Sequence, residues 1–78
     1  MTVFEKLEKR LESEFKIQIR KGSARRLYPG YWQRREGAYV WTMELINGRN
    51  IGSFITASEC LKSEFLSIDK DGCVYDEF

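Results

Sequence analysis

Residues 38–55 constrain the fold more than any other stretch of this chain. Tyr39, Trp41, Met43 and Leu45 alternate with Val40, Thr42 and Glu44, the period-two pattern of a strand that buries one face. Asn47-Gly48 follows, a dipeptide suited to a type I′ hairpin turn, whose two central residues need positive φ. The return strand is Arg49–Ile55, in which Gly52 either weakens the middle or admits a close neighbour such as Trp41. Thr56-Ala57-Ser58-Glu59 then has the spacing of a capping box. It predicts a helix over about 57–65 with Ala57, Cys60, Leu61 and Phe65 inward.

The flanks complete the pattern. Thr2 and Glu5 form another capping box, opening a helix of about 3–14 with Phe4, Leu7 and Leu11 on one stripe. Phe15, Ile17 and Ile19 alternate with Lys16, Gln18 and Arg20, which predicts a half-buried strand with a basic outer face, ended by Gly22. Pro29-Gly30 fits a type II turn, and Tyr31–Arg34 is a candidate short strand. Leu66–Ile68 and Cys73–Tyr75 form a last pair of short strands joined at Asp71-Gly72. The expected order is α-β-(β)-β-β-α-β-β. That is an α+β fold, with a small antiparallel sheet of three to five strands covered by the N-terminal helix and a second short helix. At 78 residues and 42% apolar content the chain suits one compact domain, near the lower limit for a core without staples.

Charge is segregated along the chain. Between Lys16 and Arg35 lie seven basic residues and no acid: Lys16, Arg20, Lys21, Arg25, Arg26, Arg34 and Arg35. Leu27, Tyr28, Tyr31 and Trp32 are interleaved with them, and Arg49 adds a cation on the return strand. Residues 50–78 carry −4, so the whole chain nets only +1. A cationic block beside aromatic rings suits a polyanion whose bases stack, provided that the contact is one-faced. The same residue types are also those most enriched at protein-interface hot spots.

The stretch from Tyr28 to Cys60 resembles the ethylene-response-factor DNA-binding domain of plants and its relatives in phage homing endonucleases. Tyr28, Gly30, Arg34 and Gly37 fall in register with that family's pattern, with Tyr39 and Met43 at its tryptophan and isoleucine positions. After the turn, Ile51, Gly52, Phe54, Thr56, Glu59 and Cys60 are again in register. The resemblance implies a three-stranded sheet backed by one helix, the sheet lying in a DNA groove. The scaffold positions match, whereas the family's groove-facing Arg and Trp positions hold Pro29, Trp32, Glu36, Thr42 and Glu44 here, with Arg34 retained.

Catalysis is not expected. The chain has no histidine, its serines lie in no nucleophile motif, and no glycine-rich phosphate loop precedes a helix. No cofactor or metal is expected either: two cysteines without histidine make a poor zinc set, and Asp69-Lys70-Asp71-Gly72 reads as a turn rather than a calcium loop. No apolar run suits a membrane span and the N-terminus lacks a signal-peptide core, so a cytoplasmic protein is expected, with reduced cysteines. The expectation is a small non-catalytic binding module acting through residues 16–35 and Arg49, on nucleic acid. The alternative is a phage- or plasmid-type inhibitor or adaptor that binds a protein partner, such as a nucleic-acid-handling complex, in the manner of anti-restriction or anti-CRISPR proteins. Self-association into a homodimer is compatible with either.

Overall fold

The computed structural model describes residues 1–27 and 39–77. Helix α1 spans Val3–Phe15 and helix α2 spans Ala57–Lys62. Strands β1 (Arg25–Arg26), β2 (Trp41–Glu44) and β3 (Asn50–Ser53) form an antiparallel sheet in that order. Strands β4 (Leu66–Ile68) and β5 (Val74–Asp76) form an antiparallel pair. An isolated parallel bridge, Gly52 to Cys73, joins the two sheets. The protein has a small α+β fold, as the patterning predicts.

Both capping boxes are present. Thr2 Oγ1 accepts from the Glu5 amide at 3.1 Å while Glu5 Oε1 accepts from the Thr2 amide at 3.0 Å. Hydrogen bonding from Thr2, its backbone amide first and then its side chain, holds the Glu5 carboxyl below its ordinary pKa. Thr56 and Glu59 repeat the arrangement at 3.1 Å each way. Leu7 and Leu11 of α1 are fully buried, together with Trp41, Met43, Ile51, Cys60 and Val74, in one core that both helices and both sheets share.

The expected strand over residues 15–20 does not form. Helix α1 continues through Phe15, whose spacing from Leu11 extends the apolar stripe by one more turn, and Lys16 ends it in the left-handed conformation (φ 58°). Ile19 makes only an isolated bridge to Leu45, flanked by Arg20 N–H to the Glu44 carbonyl at 2.8 Å and Ile46 N–H to the Gln18 carbonyl at 3.0 Å, while its own amide faces away from Leu45 and is accepted by Glu12 at 2.9 Å. Helix α2 is also shorter than expected, with Ser63 as its extended C-cap. Phe65 therefore lies beyond the helix and is 60% exposed rather than inward.

The hairpin between β2 and β3 differs from the expected turn too. Register pairs Glu44 with Asn50, and Leu45 N–H donates to the Arg49 carbonyl at 2.7 Å, leaving a three-residue loop. Asn47 Oδ1 accepts the Arg49 amide at 2.9 Å, a local bond available at ordinary φ, so Gly48 alone takes the left-handed position (φ 92°). Strand β1 arises where no strand was expected. The candidate turn at Pro29-Gly30 and strand at Tyr31–Arg34 lie outside the described residues.

Arg10 ties the helices together. Its guanidinium donates to the carbonyls of Cys60 (2.9 Å), Leu61 (3.1 Å) and Glu64 (3.4 Å), and pairs with Glu14. A cation there satisfies the Leu61 and Glu64 carbonyls at and just beyond the end of α2, and shares the Cys60 carbonyl with the Ser63 amide. Arg10→Met keeps most of the stem but strands those carbonyls, and is expected to cost about 2 kcal/mol in chemical denaturation. Arg10→Lys should recover only part of that loss, since an ammonium lacks the planar fork.

Candidate functional site

Three of the cations that the sequence singles out meet at one place. Arg20, Lys21 and Arg25 line a groove of about 320 Å³ on the outer face of β1 and β2. The groove exists because residues 20–23 turn tightly. Ser23 N–H donates to the Arg20 carbonyl at 3.1 Å, and Gly22 takes φ 77°. Ser23 Oγ donates to the same carbonyl at 2.6 Å and accepts the Glu44 amide at 3.0 Å. The hydroxyl thus replaces one ladder rung and fastens the turn to the end of β2, which puts Arg20 and Lys21 on the rim.

Strand alternation separates the two arginines of β1. Arg25 pairs with Thr42 and shares its outer face, whereas Arg26 pairs with Trp41 on the core side. The Arg26 guanidinium sits over the Phe4 ring, 5.9 Å from its centroid, an arrangement that ties the sheet edge to α1. Lys16 is exposed at the end of α1. Arg49 turns to the opposite hairpin and donates to the Lys70 carbonyl at 2.9 Å. Tyr31, Trp32, Arg34 and Arg35 lie outside the described residues.

The acidic C-terminal stretch stays clear of the groove. Strand β5 borders β3, while β1 borders the other side of β2. Three of its carboxylates are engaged locally: Asp69 accepts the amides of Asp71 and Cys73, Asp76 accepts from Ser63, and Glu77 accepts from Ser67. Among the described residues the acid in direct contact with a groove cation is Glu44, whose Oε1 lies 2.9 Å from Arg20 Nε, and Glu8 of α1 is close enough to Lys21 for their charges to interact. With side chains 59% and 39% exposed, that pair is worth about 0–1 kcal/mol, so it orients Arg20 more than it stabilises the fold.

Three further groove residues, Thr42, Glu44 and Asn50, escape a reading based on basic content. The alternation that sends Trp41 and Met43 inward already puts Thr42 and Glu44 on the outer face. Asn50 joins them only through the hairpin register. Burial pushes the Cys60 thiol up, and its S–H donates to Ser53 Oγ at 3.9 Å. Burial first, and then the Asp69 charge, push Cys73 up. No described group of three or more His, Cys, Asp or Glu side chains is placed to hold a metal, and no described helix is long and apolar enough to cross a membrane. Comparisons with protein-family models, with curated proteins and with solved structures find no match.

Proposed function

We propose that the protein is a small non-catalytic nucleic-acid-binding module, and that the groove formed by Arg20, Lys21 and Arg25 is its phosphate-binding surface. The observation that carries this reading is the convergence of three cations on one groove, with the acidic β4–β5 hairpin on the other side of β3. Arg34, Arg35, Tyr31 and Trp32, next along the chain, would add cations and stacking rings to the same contact. A cytoplasmic setting suits the two free thiols.

The test is binding of a labelled oligonucleotide over a range of salt concentrations. Log affinity should fall linearly with log salt, and the double variant Lys21→Ala/Arg25→Ala should flatten that slope by about 1.4 on a single strand or 1.8 on duplex DNA. Unchanged circular dichroism would show that the variant still folds. No binding by the native protein in dilute buffer would sink the proposal. It would favour the alternative, a phage- or plasmid-type inhibitor or adaptor docking on a protein. That second reading draws on exposed apolar side chains away from the groove, Phe65 at 60% and Ile46 at 56%.

A further inference from the structure

The groove holds one feature that a bare phosphate backbone does not explain. Glu44 stands among its cations, and an anion seated there meets like charge. Arg20 Nε pairs with Oε1, and among the described residues no hydrogen bond reaches Oε2. Asn50 is the cross-strand partner of Glu44, and its carboxamide likewise has no bonded partner among the described residues. Leu45 and Arg49, the next pair along, share a ladder hydrogen bond. Glu44 and Asn50 therefore form a non-hydrogen-bonded pair, the kind in which side chains stand closest.

The site thus combines a free carboxylate oxygen, a free carboxamide and two rim cations, Lys21 and Arg25. A matching ligand offers an N–H donor beside an acceptor, with negative charge flanking both. The Watson–Crick edge of an unpaired nucleobase has that donor and acceptor, and the phosphates on either side of it supply the charge. In a duplex the same edge is already spent on its partner strand.

We propose that the groove binds single-stranded nucleic acid, with one unpaired base on Glu44 and Asn50 and the neighbouring phosphates on Lys21 and Arg25. This rests on the nucleic-acid reading above and makes it specific to unpaired bases.

The experiment compares three labelled probes at one low salt concentration: a mixed-sequence 12-mer single strand, the same sequence as a duplex, and a 12-mer of abasic sugar-phosphate. The single strand should bind about tenfold tighter than either of the others. Asn50→Ala, which leaves the charge unchanged, should remove most of that advantage and leave abasic binding as it was. Glu44→Ala should act in opposite directions, raising affinity for the abasic probe while lowering it for the base-bearing strand. Equal binding of all three probes, a preference for duplex, or a parallel response of the probes to both variants would overturn the base contact and leave the phosphate-binding module standing. Failure of the native protein to bind any probe would overturn the module itself.

Discussion

Trp41→Ala should cost about 3–5 kcal/mol of stability, the range for deleting a buried indole from a core. A domain of this length has a total stability of only about 4–12 kcal/mol, so the variant is expected to be largely unfolded by mild denaturant. Trp41 is 1% exposed, stands at the centre of the three-stranded sheet opposite Ser53, and shares the core with Cys60 of α2. Its removal leaves a cavity between sheet and helix. The indole N–H adds a second effect of opposite sign. It finds no hydrogen-bond acceptor, although the Cys60 sulfur is close enough to interact with it electrostatically. An unsatisfied buried donor costs about 1–3 kcal/mol, so Trp41→Phe loses ring volume but also relieves that penalty. Urea denaturation followed by circular dichroism should therefore show a small loss for Phe and a large one for Ala. Similar losses for both would mean that ring size beyond six atoms, or a hidden indole partner, decides the packing.

The parts of the fold that are legible in the sequence depend on short-range physics. Each capping box is closed by residues three apart, so Thr2 with Glu5 and Thr56 with Glu59 announce their helices without tertiary help. Trp41 and Met43 announce an inward face by alternation alone. The errors fall where a distant partner or a side chain competes for a backbone group. Residues 15–20 alternate well enough for a strand, yet Phe15 prolongs the helical stripe and Lys16 leaves it in the left-handed region. Arg25-Arg26 has no apolar period at all, and forms β1 because Ser23 fastens the preceding turn to Glu44. The same division runs through the candidate site. Its basic half is visible as a charge block. Glu44 follows from the strand alternation, whereas Asn50 is brought beside it by cross-strand register, which no local pattern encodes.

Gly72→Ala should be the other severe substitution, costing about 3 kcal/mol or more through backbone strain and overpacking together. Gly72 occupies the left-handed position of the loop between β4 and β5 at φ 90°, and Gly48 occupies the equivalent position between β2 and β3 at φ 92°. In each loop the glycine amide closes a turn, Gly72 to the Asp69 carbonyl at 3.0 Å and Gly48 to the Leu45 carbonyl at 2.9 Å. The two sites differ in their surroundings. A Cβ on Gly48 would meet nothing within 4 Å, so Gly48→Ala carries only the conformational penalty of about 1–2 kcal/mol. A Cβ on Gly72 would lie 2.6 Å from the Asn50 carbonyl oxygen, a backbone atom that no rotamer change can move. Gly72 also accepts the Gly52 amide at 3.0 Å, so any shift that relieves the clash pulls on the Gly52–Cys73 bridge between the two sheets. The excess cost of Gly72→Ala over Gly48→Ala, read from parallel urea titrations, measures that close approach free of the φ penalty that both share. Because the displaced strand carries Asn50, the Gly72 variant should also lose affinity for the single-stranded 12-mer under conditions where it remains folded, while the Gly48 variant keeps it. Equal costs for the two glycines would mean that β3 and β5 slide apart freely, and that the register holding Asn50 beside Glu44 does not depend on the junction.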